Sequence, residues 1–285
     1  MYSQPDSTSI KNLFAKIATR YKLANHVLCG GLDLWWRHVT AQEVAKCKPQ
    51  QILDVATGSG DLAFAILKKI PTAQITGIDF CKEMLMEAAK KNGATLFSLE
   101  RFKNCYSRCS ARNEEQRPKV YSDTRGPEHR SDAVMRDYNN FENALTRISG
   151  LRLLQADGMN LPFANESYDA VTIAFGLRNM ASWEQGLREM HRVLRLGGSL
   201  FILDFSLPTV PLLKSPYRFY LHHLLPRLAG IITGQLEAYS YMADSIEQFP
   251  SGKKMEKLLE NCGFQQATSK PMTFGVVTLY RAAKI

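Results

Sequence analysis

The sequence predicts an α/β fold built around a mostly parallel β-sheet. Short runs of branched apolar residues alternate along the chain with stretches of helical spacing. A glycine-rich turn separates the first apolar run from the helical pattern after it, and acidic residues stand where two later runs end. Such alternation is typical of parallel sheets, because parallel strands are joined by right-handed crossovers that usually contain a helix.

The first strand is predicted at residues 52–56, a short run that is apolar except for Asp54 and ends in a turn. A short run rich in branched apolar residues is typical of a strand that is buried on both faces. Gly58 and Gly60 follow, and glycines in such a turn adopt positive φ and let a ligand approach the backbone closely. Residues 62–69 are then predicted to form a helix, so the segment has the form of a nucleotide-type ligand site.

The remaining predicted elements continue the pattern. Gly197 and Gly198 are predicted to stop one helix and Gly263 to stop another, since glycine is the preferred residue after a helix end. The predicted strands cover residues 73–80, 151–156, 168–175, 199–205 and 275–281, and the predicted helices cover residues 82–91, 183–194 and 252–262.

Three classes of ligand use a glycine turn of this kind. A P-loop is excluded because no Gly-Lys-Ser/Thr follows the glycines. A dinucleotide stays an alternative, since Gly58, Gly60 and Ala63 fit the G-x-G-x-x-[GA] fingerprint and Asp79 lies 19 residues beyond Gly60. Asp54, four residues before Gly58, favours S-adenosylmethionine instead. A carboxylate attracts a ligand that carries an ammonium and a sulfonium, and it repels a pyrophosphate.

Two further segments supply contacts for such a ligand. Asp79 ends the strand 73–80 beside the glycine turn, where its carboxylate can accept hydrogen bonds from both ribose hydroxyls. Asp79 can also cap the helix 82–91, and the two roles are compatible. Asp157 and Gly158 follow the strand 151–156, at a position that usually faces the adenine.

Composition excludes several classes of protein. The chain has 285 residues, of which 45% are hydrophobic, and no segment predicts a membrane-spanning helix. The N-terminus lacks the apolar core of a signal peptide, which favours a cytoplasmic protein. The six cysteines form no C-x-x-C pair, as expected of reduced thiols. Cys105, Cys109 and His129 specify a metal site poorly, so no metal is expected.

The formal net charge of +9 admits two kinds of partner. Nucleic-acid binding would require a recognisable module or basic residues clustered with aromatic ones, and neither is present. An anionic membrane surface accounts better for the charge. Residues 215–230 interleave apolar and basic side chains and could form an interfacial lid, or else a helix that packs an apolar stripe on the core. His222 and His223 within it are predicted to be surface residues.

Residues 101–149 differ in character from the rest of the chain. They alternate charges of both signs and contain few aliphatic side chains. Because a compact domain rarely holds so long a loop without secondary structure, they are predicted to form a flexible surface insertion. A partner-binding or lid role is the alternative.

Four segments beyond the glycine turn carry a resemblance to a known family. They are FAKIATRYKLANHVLCGGLDLWWR at 14–37, FGLRN at 175–179, LDFSLP at 203–208 and YSYMADSIEQFP at 239–250. With them the chain resembles the C-methyltransferases of ubiquinone and menaquinone biosynthesis, over everything except the insertion. The resemblance implies a class I S-adenosylmethionine-dependent methyltransferase (Rossmann-like) fold, with a seven-stranded, mostly parallel sheet and helices on both faces.

The same resemblance implies the ligands and the division of the chain. S-adenosylmethionine is the expected methyl donor, bound at Ser59, Asp79, Asp157 and Gly158, and a prenylated quinol ring carbon is the expected acceptor. Residues 1–45 are expected to form an N-terminal helical acceptor-site segment. The methyltransferase domain is expected to cover residues 46–285, with 208–250 as a helical lid. Peripheral contact with a membrane surface is expected, and a homodimer stays open.

The chain departs from the family pattern at three positions. Lys22 stands where members commonly have Asp after the tyrosine equivalent to Tyr21, Asp33 stands in place of a His, and Asp204 in place of a Glu. The first two departures concern the N-terminal segment and leave the donor site untouched.

Methylation of a quinol carbon requires an electron-rich ring, which a deprotonated or strongly hydrogen-bonded hydroxyl provides. Arg178 and Asn179 follow the fourth strand at the carboxyl edge of the sheet. Arg178 is expected to stabilise a developing phenolate, Asn179 to orient a quinol oxygen, and Tyr21 to contact the acceptor. The alternative for Arg178 is an ion pair with Asp204 or Asp169 that only braces the loop.

Two other functions stay open at this point. A methyltransferase fold could serve as a subunit of a biosynthetic assembly without turnover of its own, which the altered N-terminal motif and the insertion would allow. An NAD-dependent oxidoreductase is the second alternative, because the glycine turn also fits a dinucleotide fingerprint.

Overall fold

A computed structural model of the chain describes residues 26, 29–91, 150–208, 210–233 and 236–285. Tyr21 and the predicted insertion at 101–149 lie outside the described residues. The expected N-terminal segment is described only at residue 26 and from residue 29 onward.

Helices and strands alternate through most of the described chain. The α-helices are α1 (Leu32–Lys46), α2 (Asp61–Leu67), α3 (Lys82–Lys91), α4 (Trp183–Val193), α5 (Pro211–Phe219), α6 (Leu225–Thr233), α7 (Leu236–Gln248) and α8 (Lys253–Asn261). The strands are β1 (Gln51–Val55), β2 (Gln74–Asp79), β3 (Leu151–Gln155), β4 (Tyr168–Ala174), β5 (Leu194–Phe205), β6 (Gln265–Met272) and β7 (Val277–Ala283). Short helical turns lie at Leu177–Asn179, Tyr220–Leu224 and Thr273–Gly275.

The seven strands form one sheet in the order β3-β2-β1-β4-β5-β7-β6. Strands β1 to β5 pair in parallel, whereas β7 is antiparallel to both of its neighbours. The prediction of a seven-stranded, mostly parallel sheet is therefore confirmed. The strand order reverses between β1 and β4, and open α/β sheets bind their ligands at the carboxyl ends of the strands beside such a point.

Successive side chains of each strand pack on opposite faces of the sheet. Ile52 and Phe201 lie in the core that α1, α2 and α3 cover. Leu53 and Ile202 lie in the core that α4 and α8 cover on the other face. The expected helices on both faces are confirmed, and the central strands are mostly apolar because both of their faces are buried.

The prediction that Gly197 and Gly198 stop the helix 183–194 is wrong. Helix α4 ends at Val193, and Leu194 already pairs with Tyr168 in the sheet. The two glycines lie in β5, where the register shifts before Ser199 pairs with Ala170. Gly197 has φ +79°, and a Cβ on Gly198 would lie 2.8 Å from the carbonyl oxygen of Arg195. The glycines are thus required by a bulge in the strand. A bulge and a helix stop look alike in sequence because both need a residue with positive φ.

Strand β6 was not predicted from its own residues. Its sequence, QQATSKPM, contains a proline, and Met272 is its one buried residue. An edge strand pairs on one side only, so it needs no continuous apolar run and tolerates proline.

The segment after β5 is helical, with α5, α6 and α7 following in turn. None of the helices in the described ranges is both long enough and apolar enough to cross a membrane.

Candidate functional site

A cavity of about 170 Å³ opens at the carboxyl ends of β1, β2, β3 and β4. It lies at the point where the strand order reverses. Its walls come from residues 54–59, 61–62, 79–81, 84, 156–159, 174–176 and 179–181, together with Arg37 of α1. Six of the seven residues predicted to bind the cofactor line this cavity, and the seventh, Gly60, lies between the wall residues Ser59 and Asp61.

The glycine turn shapes one wall of the cavity. Gly58 and Gly60 have φ of +56° and +76°, values that side chains rarely allow. A Cβ on Gly60 would lie 2.8 Å from the ring of Phe64. The turn is fastened to the next strand by a bond from the Thr57 amide to the Ile78 carbonyl, 2.8 Å long. This hydrogen bond fixes the position of the turn relative to β2.

Asp79 is held between the glycine turn and the start of α3. Its Oδ2 accepts a bond from the Gly58 amide and its Oδ1 one from the Cys81 amide, each at 2.8 Å. Burial raises the pKa of Asp79 to about 6, although these N–H groups favour the charged carboxylate. The carboxylate therefore occupies a fixed position, with remaining lone pairs available on both oxygens.

Asp54 lies deeper at the end of β1 and is 1% exposed. Its Oδ1 accepts a bond from the Thr172 hydroxyl and its Oδ2 one from the Thr57 hydroxyl, both at 2.6 Å. Burial raises the pKa of Asp54 to about 6, against the effect of the two hydroxyls and of the Arg37 charge. A cation that entered the cavity would restore the charged form of this carboxylate.

The other predicted donor residues also lie on the wall. The Oδ1 of Asp157 accepts the Met159 amide at 2.9 Å, which fixes the loop after β3. A Cβ on Gly158 would lie 2.6 Å from Cε of Met180, so the backbone there passes close to a neighbouring chain segment. The Ser59 hydroxyl donates to Asp61 at 2.8 Å.

Two strands end in unusual backbone geometry at this cavity. Ala56 after β1 and Phe175 after β4 have φ of +50° and +59°. A Cβ on Gly176 would lie 2.5 Å from the Cβ of Ala56, so the two strand ends are in close contact. Non-glycine residues at positive φ typically store about 1–3 kcal/mol of strain each and persist where the surroundings impose them. The backbone strain is therefore concentrated at the carboxyl ends of the neighbouring strands β1 and β4.

Arg178 and Asn179, predicted to be catalytic, occupy different environments. Asn179 lines the cavity, and its Nδ2 donates to the Phe175 carbonyl at 3.2 Å. Arg178 is 5% exposed and is not part of the cavity wall. Its Nη1 donates to Oδ1 of Asp204 at 2.6 Å and to the Phe175 carbonyl at 2.8 Å. The alternative ion pair between Arg178 and Asp204 is present.

The other alternative partner of Arg178 is engaged elsewhere. Asp169 pairs with Arg195 at 2.5 Å and accepts the Gln50 and Gln51 amides. Burial raises the pKa of Asp204, while the adjacent Arg178 charge opposes that change. The buried Arg178–Asp204 pair joins the loop after β4 to the end of β5. Tyr21 lies outside the described residues.

Arg37 is a cavity residue that the sequence did not point to. It lies within the family-specific segment 14–37, but nothing in that segment marks which of its side chains reach the glycine turn. Its position depends on how α1 packs against the sheet, and Trp36 beside it is buried in that contact.

The described residues contain no cluster of three or more His, Cys, Asp or Glu that could hold a metal ion. Cys105, Cys109 and His129 lie outside them.

A sequence model of the ubiE/COQ5 methyltransferase family matches residues 2–104 and 139–284. The chain belongs to this family. The unmatched residues between the two parts, 105–138, fall within the predicted insertion.

Individual members are similar over nearly the whole chain. A demethylmenaquinone methyltransferase of Chlorobaculum parvum is 33% identical over 97% of this chain and 93% of its own length. One of Deinococcus radiodurans with the same name is 31% identical over the same shares. A ubiquinone/menaquinone biosynthesis C-methyltransferase of Syntrophotalea carbinolica is 34% identical over 95% of this chain and 92% of its own length.

Solved structures show the same fold at low sequence identity. A methyltransferase from Thermotoga maritima that depends on S-adenosylmethionine (SAM) superposes with a TM-score of 0.54 at 13% identity, over 96% of this chain and 99% of its own. Human N-acetylserotonin methyltransferase, solved in complex with SAM, has a TM-score of 0.51 at 16% identity, over 95% of this chain and 59% of its own. The class I SAM methyltransferase fold predicted for the chain is confirmed.

Proposed function

We propose that the protein transfers a methyl group from S-adenosylmethionine to a ring carbon of a prenylated quinol in quinone biosynthesis, with demethylmenaquinol as the preferred acceptor. The family match carries this conclusion, because the similar proteins are named for that reaction class. The preference for demethylmenaquinol follows the names of the relatives from Chlorobaculum parvum and Deinococcus radiodurans.

The charges of the cavity fit this donor. Four carboxylates line it, those of Asp54, Asp61, Asp79 and Asp157. They attract the ammonium and the sulfonium of S-adenosylmethionine and repel the pyrophosphate of a dinucleotide. Asp61 follows Gly60 directly, which is where a dinucleotide would place its phosphates. This charge pattern argues against the oxidoreductase alternative.

Each donor contact can be assigned to a residue of the cavity. Asp79 would accept hydrogen bonds from the ribose hydroxyls, and Asp157 with Gly158 would hold the adenine. Gly58, Ser59 and Gly60 would let the backbone approach the donor, and Asp54 would face its positive charge. When bound, the donor supplies the methyl group as an electrophile.

On the acceptor side, Asn179 would orient a quinol oxygen from the cavity wall. Arg178 lies behind the cavity wall, bonded to the Phe175 carbonyl and to Asp204. Its guanidinium would stabilise the negative charge that grows on that oxygen as the ring attacks, and the fixed ion pair would keep this charge in place. Tyr21 remains a proposed contact of the acceptor.

The helical segment after β5 fits a substrate drawn from a bilayer. Leu212, Phe219 and Leu228 are 83%, 58% and 47% exposed on α5 and α6. Arg227 and Lys214 lie on the same helices. Exposed apolar side chains among basic ones bind anionic lipid surfaces, so we place the protein at the membrane as a peripheral enzyme. Self-association into a homodimer would be compatible with this placement.

Calorimetric titration tests the donor assignment. S-adenosylmethionine should bind the purified protein and raise its melting temperature, whereas NADH should do neither, because a ligand that binds the folded state stabilises it. Stabilisation by NADH and not by S-adenosylmethionine would overturn the proposed function in favour of an oxidoreductase. A protein that binds S-adenosylmethionine but does not methylate a reduced short-chain demethylmenaquinone would instead fit a non-catalytic subunit.

A further inference from the structure

The cavity wall contains one basic side chain among four carboxylates. Within the described residues, Arg37 is the sole Lys or Arg that lines the cavity. The aspartates account for positive and hydroxyl groups of a ligand, but they repel any negative group. Within the described wall, Arg37 is therefore the positively charged side chain that an anionic part of the ligand could contact.

The guanidinium of Arg37 is held in a fixed position. Its Nη1 donates to Oδ2 of Asp33 at 2.7 Å and to the Asp33 carbonyl at 3.2 Å, across one turn of α1. Its central carbon lies 5.2 Å from the centre of the Phe175 ring. The side chain is 15% exposed.

The held guanidinium keeps donors for a ligand. The bonds that Arg37 makes in the described part of the chain all involve Nη1, which leaves Nε and Nη2 for another acceptor. Two parallel N–H groups of a guanidinium match the two oxygens of a carboxylate, and such charge-assisted pairs are among the stronger hydrogen bonds.

We propose that Arg37 binds the α-carboxylate of S-adenosylmethionine and that Asp33 positions it for that contact. The inference rests on the proposed function and adds the anionic end of the donor to the site. Asp54 would face the ammonium and the sulfonium. The methionyl group would thus be bound at both its positive and its negative charges.

The test compares two ligands that differ in this one group. S-adenosylmethionine and decarboxylated S-adenosylmethionine share the adenosyl, sulfonium and ammonium groups, and the second lacks the carboxylate. The wild-type protein should bind S-adenosylmethionine about 10- to 100-fold more tightly than the decarboxylated compound, as expected for loss of a charged hydrogen-bonded pair. Arg37→Gln should weaken the binding of S-adenosylmethionine by a similar factor. It should change the affinity for the decarboxylated ligand by no more than about twofold.

Lys91→Gln is the matched control. Lys91 also stands beside the cavity, bonded to Asp61 and to the Ser59 carbonyl, but it is not part of the wall. The substitution removes the same charge and should leave the ratio of the two affinities unchanged. Asp33→Asn should reduce that ratio partly, since Arg37 keeps its charge and loses its anchor. Melting curves establish that each variant is folded.

Four results would overturn the inference. The wild-type protein could bind both ligands equally well, which requires no variant to observe. Arg37→Gln could weaken both ligands to the same extent, which would show that Arg37 acts only by keeping Asp54 ionised. If Arg37→Gln does not fold, Arg37→Lys replaces it. An unchanged ratio of the two ligand affinities in Arg37→Lys would then overturn the inference, because an ammonium lacks the planar fork of a guanidinium. A wild-type protein that binds neither ligand would instead overturn the proposed function, and the inference with it.

Discussion

The donor side and the acceptor side of the molecule are built differently. On the donor side, formed by β1, β2 and the loops after them, short hydrogen bonds fix the carboxylates: Asp79 is bonded to Gly58 and Cys81. On the proposed acceptor side, formed by the loop after β4, the helices after β5 and the part of α1 other than Arg37, the contacts join distant parts of the chain. Trp36, for example, donates to the Thr273 hydroxyl 237 residues away.

The difference has a physical origin. A glycine turn and two strand ends create the donor site wherever a parallel sheet forms, so few residues determine it. The acceptor side has to be assembled by packing helices on the completed sheet. It also leaves large apolar side chains such as Leu212 in contact with solvent. We infer that a few neighbouring residues determine the donor side. The acceptor side depends on the whole fold and on a further surface that covers its exposed apolar side chains.

The largest effect is expected at the boundary of the two sides. Arg178→Lys should lower the rate of single-turnover methyl transfer by about 100-fold, similar to the loss of one fixed oxyanion donor, while donor affinity stays near normal. A lysine keeps the charge but cannot bond Asp204 and the Phe175 carbonyl with one planar group. The measurement needs both ligands at saturation.

The competing role for Arg178 predicts a different pattern. If the Arg178–Asp204 pair only braces the loop, Arg178→Lys should lower the melting temperature and weaken donor and acceptor together. Asp204→Ala calibrates that effect, because it leaves a buried charge uncompensated and should lower the free energy of unfolding by about 3–5 kcal/mol. Normal single-turnover chemistry in a folded Arg178→Lys protein would remove Arg178 from the catalytic residues.

The next effect concerns the donor side alone. Asp79→Ala should weaken the binding free energy of S-adenosylmethionine by roughly 2–3 kcal/mol, since hydrogen bonds to a charged group are stronger than those between neutral groups. Glu83→Gln is the control: it removes a charge nearby, where Glu83 accepts from Cys81, but Glu83 is not in the cavity wall. Unchanged titrations of Asp79→Ala would show that the ribose assignment is mistaken.

Donor affinity should also depend on pH. Burial raises the pKa of both Asp54 and Asp79 to about 6 in the free protein, and a bound cation favours their ionised forms. Above pH 6 both groups are already ionised, so affinity should be constant. Below pH 6 protons compete with the donor, and affinity should fall by about tenfold per pH unit for each group that must ionise. Calorimetry from pH 5 to pH 8 checks the direction, and Asp54→Asn should flatten the profile.

The smallest effect is expected at the exposed apolar residues. Phe219→Ser should weaken binding to anionic vesicles by about fivefold, close to 1 kcal/mol for a partly buried ring. Leu196→Ser is the control, because Leu196 is 67% exposed but lies at the other end of β5. Equal loss in the two variants, or no binding by the wild-type protein in vesicle sedimentation, would contradict the membrane assignment.

The same contrast explains what could be predicted from the sequence. Asp54, Gly58 and Asp79 could be placed because the period of a strand and the position of its end fix where each side chain points. Arg37 could not, since its place depends on how α1 packs against the sheet. The sequence predicts a helix end at Gly197-Gly198 because positive φ alone does not distinguish a helix stop from a bulge. The edge strand β6 has no apolar pattern because it pairs with a neighbouring strand on one side only.

The central claim is that the cavity binds S-adenosylmethionine for transfer to a quinol. The direct measurement supplies S-adenosylmethionine carrying a labelled methyl group, together with a short-chain demethylmenaquinone kept in its reduced form. The label should appear on a ring carbon of the quinol, and the oxidised quinone should not be methylated because its ring is electron-poor. Label that stays on the donor while both ligands are bound, or that appears on an oxygen of the quinol, would contradict the central claim.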